Sequence, residues 1–116
     1  MLPKQYRLKK RTAFKAIYKV KNSSHKGGVT LFAGILKKDD APTKVGFVVS
    51  KKVHKRAVKR NRLKRLMRES YRILLKNGQV GDSQRFMSLV FVGTEKALGK
   101  SFQEIKSSIE KMLEKI

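Results

Sequence analysis

Two imidazoles and eight carboxylates are all that this 116-residue chain offers for acid–base or metal chemistry. His25 and His54 both stand among lysines and arginines, with no carboxylate close in sequence to orient either ring. They read as solvent-facing residues of a loop and of a helix end. Asp39 and Asp40 share one turn and the other acids stand alone, so nothing resembles the grouped carboxylates that hold paired metal ions for phosphodiester cleavage. The absence of cysteine removes disulfides, thiolate zinc sites and a thiol nucleophile. No phosphate-binding P-loop, dinucleotide fingerprint or nucleophile elbow occurs, and the pair Gly27-Gly28 makes none of these. What the chain has in abundance is fixed positive charge. Residues 51–72 hold eleven Lys and Arg against a single acid, Glu69. Planar guanidinium forks and mobile ammonium groups at that density meet phosphate oxygens. The residues describe a binder, and any chemistry falls to its partner.

The wider charge distribution points the same way. Thirty basic residues against eight acidic ones leave a formal charge of +22. Residues 1–72 carry 23 basic and three acidic residues, whereas 73–116 carry seven and five, and no acid precedes Asp39. A solvated surface ordinarily mixes both signs, and self-repulsion on this scale is relieved by a bound polyanion. Nucleic acid is the favoured partner. An anionic membrane surface is the rival, and it needs an amphipathic helix with bulky apolar residues free to enter lipid. The longest nearly apolar run, Val29 to Leu36, falls far short of the ~20 residues of a membrane span. The basic N-terminus has no apolar stretch behind it, so a signal peptide is not expected and a cytoplasmic protein is. With 40% hydrophobic residues and nine aromatics, the chain supports one modest core, a single domain over 1–116.

These cations must be positioned by regular elements. Thr12 is a candidate cap for a short helix carrying Phe14, Ile17 and Tyr18 at helical spacing. Asn22–Gly28 reads as loop. Val29–Leu36 and Lys44–Ser50 read as strands, and the turn chemistry of 37–43 between them predicts an antiparallel hairpin. A helix is expected over Arg56–Lys76, stopped by Asn77-Gly78. Gly81–Arg85 reads as loop and Phe86–Val92 as strand. Ser101 and Glu104 form a capping-box pattern opening a last helix, with Phe102, Ile105, Ile109, Met112, Leu113 and Ile116 on its core face. The order α-β-β-α-β-α implies an α+β domain with helices packed on a small sheet.

At ~100° per residue the long helix divides into two sides. Leu63, Leu66, Met67, Ser70, Ile73 and Leu74 fall on one; Asn61, Lys64, Arg65, Arg68 and Arg72 fall on the other. One side can pack on the sheet while the other presents a cationic ridge, without the alternating signs of a salt-bridged surface.

The run SKKVHKRAVKRNRLKRLMRESYR at Ser50–Arg72 resembles the signature of the bacterial ribonuclease P protein subunit. Arg60-Asn61-Arg62, then Lys64-Arg65 and Arg68-Glu69, match the RNR motif of that family, and Lys51-Lys52 stand where the family has a basic pair. LKKRTAFKAIYK resembles the family's N-terminal block, with Phe14 and Tyr18 at its aromatic helix positions. Thr30 and Phe32 align with strand positions lining the family's central cleft. In three places the chain departs from the common pattern: His54 replaces a small residue, Gly27-Gly28 precede the cleft strand, and Phe32 stands for Tyr.

The resemblance implies an α/β sandwich on a small mixed sheet with a left-handed βαβ crossover, shared with a small-subunit ribosomal protein domain. It implies a role in removing the 5′ leader of precursor tRNA, with a catalytic RNA subunit that requires Mg²⁺ and no cofactor held by the protein. The expected partners are the ribonuclease P RNA and precursor tRNA, with no membrane and no small-molecule substrate. Lys51, Lys52, Arg56, Arg60, Asn61, Arg62, Lys64, Arg65 and Arg68 are the expected contacts to the RNA subunit. Phe14, Tyr18, Thr30 and Phe32, with Lys10 and Lys15, are the expected leader cleft, although periodicity alone would place the aromatic residues in a core. A structural ribosomal-type RNA-binding protein is the alternative; it would use the same ridge and have no substrate cleft.

Overall fold

Leu89, Val90 and Phe91 are all completely buried, and since side chains alternate along a strand, only a central strand covered on both faces satisfies that. The structure, a computed structural model, describes residues 6–8, 11–20 and 22–116. Its elements are α1 (Arg11–Val20), β1 (Asn22–Lys26), β2 (Val29–Ala33), β3 (Lys44–Val48), α2 (Ala57–Lys76), β4 (Ser88–Gly93) and α3 (Phe102–Lys115), with 3₁₀ turns at Gly81–Arg85 and Glu95–Ala97. The four strands form one mixed sheet in the order β1-β2-β4-β3. β4 pairs antiparallel with β2 and parallel with β3, so β3–α2–β4 is a parallel crossover unit.

The expected hairpin between the second and third strands does not form. After β2 the chain stays extended beside 85–88, with Met87 N–H donating to the Ile35 carbonyl and Lys37 N–H to that of Arg85. Residues 37–43 then pass the start of β4 instead of turning back. Buried Thr43 pins that crossing, its hydroxyl donating to the Phe86 carbonyl (2.7 Å) and the Gln84 carbonyl (3.1 Å). The seven turn-rich residues are a crossing connection, and β4 takes the place between β2 and β3.

Asn22–Gly28 is not loop. Asn22–Lys26 form edge strand β1, joined to β2 by the two-residue turn Gly27-Gly28, both with positive φ (58° and 87°) as a type I′ hairpin turn demands. The order is thus α-β-β-β-α-β-α. Smaller corrections concern element ends. α1 begins at Arg11, so Thr12 lies within it and not ahead of it; β2 ends at Ala33, β4 runs from Ser88 to Gly93, and Gly81–Arg85 is a 3₁₀ turn.

The core lies on one face of the sheet. Val29, Leu31, Val45, Leu89 and Phe91 meet Leu63, Met67, Tyr71 and Leu74 of α2, and Ile105, Ile109, Met112 and Leu113 of α3. Tyr71, absent from the expected core face of α2, is fully buried between Phe47 and Phe91, while Leu66 and Ile73 are only half-buried. Gly93 lets α2 pack closely here, because a Cβ would come within 2.6 Å of Leu63 Cδ2 and 3.0 Å of Val49 Cγ2. The expected α3 cap is present: Ser101 Oγ accepts the Glu104 N–H at 3.2 Å, and the Glu104 carboxylate accepts the Ser101 hydroxyl. α1 covers part of the opposite face, with Ile17 buried and the Phe14 ring lying directly on Gly46. Among the described residues, no helix is long and apolar enough to cross a membrane.

Candidate nucleic-acid interface

The buried side of α2 dictates where its cations go. With Leu63, Met67, Ser70, Tyr71 and Leu74 turned to the sheet and α3, Asn61 and Arg65 stand exposed on the outer side, flanked by half-buried Lys64, Arg68 and Arg72. Lys51, Lys52 and Arg56 are exposed in the segment leading into the helix. Among the described residues, Lys51, Lys52, Arg56, Lys64, Arg65 and Arg68 form no ion pair. Arg72 is different: its Nε and Nη2 donate to Glu69 at 3.1 and 3.0 Å, and that hydrogen bond holds the Glu69 carboxyl below its usual range.

Two arginines of the RNR block leave the outer side. Arg62 reaches across to the segment leading into α3, Nη2 donating to the Lys100 carbonyl at 3.4 Å. Arg60 is half-buried at the end of the sheet-facing side, and its buried Nε has no hydrogen-bond partner among the described residues. Alternation of cations along the sequence thus becomes three directions in space: outward, toward α3, and inward at the helix start.

The start of α2 carries a feature the sequence reading missed. Its N-cap, Arg56, supplies no side-chain cap, and the first turn contains no acid. The half-buried His54 ring instead accepts the Arg56 N–H at Nδ1 (3.1 Å), shaping the entry to the helix. Uncapped N–H groups and the positive end of the helix dipole therefore add to the side-chain cations in the same place. The missing signal was visible as the lack of Ser, Thr, Asp or Asn before Ala57.

On the opposite face of the sheet, Phe14, Tyr18, Thr30 and Phe32 come together beside α1. Phe14 and Phe32 are half-buried and Tyr18 is 38% exposed. Tyr18 and Phe32 meet edge to face with centroids 4.9 Å apart, and partial burial raises the Tyr18 phenol pKa. Thr30 lies one pair along β2 on the same face, mostly buried, its hydroxyl 2.8 Å from His25 Nδ1. Contrary to the loop expected for it, His25 sits on β1, exposed, and braces that threonine. Half-buried Val48 and Val92 continue the floor beside Thr30. Lys15 is exposed on α1, and Lys10 lies outside the described residues. Open aromatic edges, an apolar floor and a nearby lysine suit unpaired bases, which stack on rings with little sequence preference.

Comparison with known proteins identifies a family. The family model described as Ribonuclease P matches residues 2–116. The chain is 35% identical to the ribonuclease P protein component of a Synechococcus strain, covering 99% of this chain and 84% of that one. It is 36% identical to the ribonuclease P protein component of Clostridium kluyveri, covering 95% and 93%. The solved RNase P protein of Staphylococcus aureus superposes with a TM-score of 0.77 at 27% identity, over 95% of this chain and 94% of that one.

Proposed function

The chain belongs to the ribonuclease P protein family, and on that premise we propose that it acts as the protein subunit of a cytoplasmic ribonucleoprotein that removes the 5′ leader from precursor tRNA. The observation that carries this reading is the outward array on and before α2: Lys51, Lys52, Arg56, Lys64, Arg65 and Arg68 pair with no acid among the described residues. Charges left unpaired by their own fold are available to phosphates, and bidentate arginines grip the backbone of a folded RNA. Asn61, which both donates and accepts, suits a base or sugar edge among those pure donors. The ridge holds the RNA subunit, and Mg²⁺-dependent hydrolysis belongs to that RNA.

The aromatic cleft serves the other partner. A single-stranded leader laid across Phe14, Tyr18 and Phe32 gains stacking without sequence demands, which suits one enzyme acting on many precursor tRNAs. Two RNA-binding faces on opposite sides of one sheet allow both partners to be held at once. The test is addition of the purified protein to ribonuclease P RNA at low Mg²⁺ with precursor tRNA as substrate. Stimulated cleavage at the mature 5′ end is the expected result. Tight RNA binding with no stimulation at any ratio would leave a structural RNA-binding protein instead.

A further inference from the structure

An open concavity of about 880 Å³ lies at the β1–β2 turn, away from α1. Its walls include His25, Lys26, Gly28, Thr30, Lys96 and Lys100. We propose that this concavity is a second contact for the single-stranded leader, seating its phosphates while the aromatic cleft stacks its bases; this rests on the leader reading given above.

Three observations support it. The concavity shares Thr30, and through the 2.8 Å Thr30–His25 contact it is continuous with the cleft. It is also built rigidly. Thr94 donates to the Gly28 carbonyl from both its N–H (2.9 Å) and its hydroxyl (2.6 Å), and a Cβ on Gly28 would come within 2.6 Å of the Ala97 nitrogen. A wall fixed in this way need not be ordered when a ligand arrives. Finally, its charge is one-sided. Three ammonium groups face a single carboxylate, Glu95, and among the described residues none of the three is ion-paired. Lys100 Nζ stands 3.2 Å from where a Gly27 Cβ would be, close against the turn, and the Lys100 carbonyl takes the hydrogen bond from Arg62. The concavity therefore adjoins Arg62 of α2 through Lys100 on one side and the cleft residue Thr30 on the other, on a path open to a strand entering the cleft.

The test uses the reconstituted holoenzyme with Lys26→Gln/Lys96→Gln, both positions being exposed. Binding of precursor tRNA, binding of mature tRNA and assembly with the RNA subunit are each followed against salt. The expected result is about fivefold weaker binding of precursor tRNA, as for two exposed ion pairs. The log–log salt slope should become shallower by roughly 1 to 1.5. Mature tRNA binding and assembly should be unchanged, and Lys26→Arg/Lys96→Arg should restore the precursor affinity. Unchanged precursor binding overturns the proposal, as does an equal loss for mature tRNA or weaker assembly, either of which assigns the surface to the RNA subunit. Wild-type holoenzyme that fails to distinguish precursor from mature tRNA would sink the leader reading as well.

Discussion

Arg62 and Arg65 stand three positions apart in one basic block, yet one is tied to the Lys100 carbonyl and the other is free toward solvent. Charge counting found the block but not these directions, because the direction of each cation depends on how far α2 is rolled against the sheet. The aromatic residues posed the opposite problem: spacing alone placed Phe14 and Tyr18 in a core, whereas Ile17 is the buried one of these three apolar α1 residues. Phe14→Ala with Tyr18→Ala should lower holoenzyme affinity for precursor tRNA, by ~1–3 kcal/mol per lost stacking ring, and leave mature tRNA binding unchanged. Equal losses for both RNAs, measured by titration, would return these rings to a structural role. Tyr71 makes a second prediction. Burial pushes its phenol up to about 12, partly offset by the Gln84 amide donating to it. An unfolded tyrosine ionises near 10, so between about pH 10 and 12 the folded state holds the proton that the unfolded state has lost, and stability falls as pH rises. Tyr71→Phe, compared with wild type by urea unfolding, should remove up to about 2–3 kcal/mol of that alkaline loss. Below pH 9 the substitution should cost only about 1 kcal/mol, for the lost hydrogen bond.

Elements were legible in proportion to their own periodicity. α2 and α3 were found almost to the residue, because each pairs a continuous apolar side with a recognisable end. β1 was not, since Asn22–Lys26 contains no apolar residue and is an edge strand held by its pairing to β2 and by the Gly27-Gly28 turn. A two-glycine turn before an apolar strand was the available hairpin signal, and it was outweighed by the polar composition. The error over β3 came from proximity: strands adjacent in sequence usually pair, but β4, with Leu89, Val90 and Phe91 buried in succession, lies between them. The placing of α1 depends on Gly46, whose missing side chain makes room for the Phe14 ring. Gly46→Ala should therefore lift α1 from the sheet, costing about 1–3 kcal/mol of stability by overpacking. It should also weaken precursor binding although no cleft residue has changed, which a melting curve and a binding titration together would show.

For the whole molecule the dominant fact is +22 charge on 116 residues. If about six cations of the ridge displace counterions from the RNA subunit, the log–log salt slope of assembly should lie near −4 to −5. A slope near −1 would exclude the ridge as the main contact. The same charge opposes folding of the isolated protein, so added polyphosphate or sulfate should raise Tm, and more than equivalent chloride does.

The position of β4 also determines when this protein can fold during its synthesis. Both neighbours of that strand, β2 and β3, are translated before it, and neither pairs with the other. Until residues 88–93 have left the ribosome, β3 lacks its sheet partner and the apolar side of α2 lacks Leu89 and Phe91 to pack on. The cationic helix thus emerges before the scaffold that will orient it, beside ribosomal RNA. Nascent chains arrested before Ser88 should be protease-sensitive over α2, and chains extended past α3 protected.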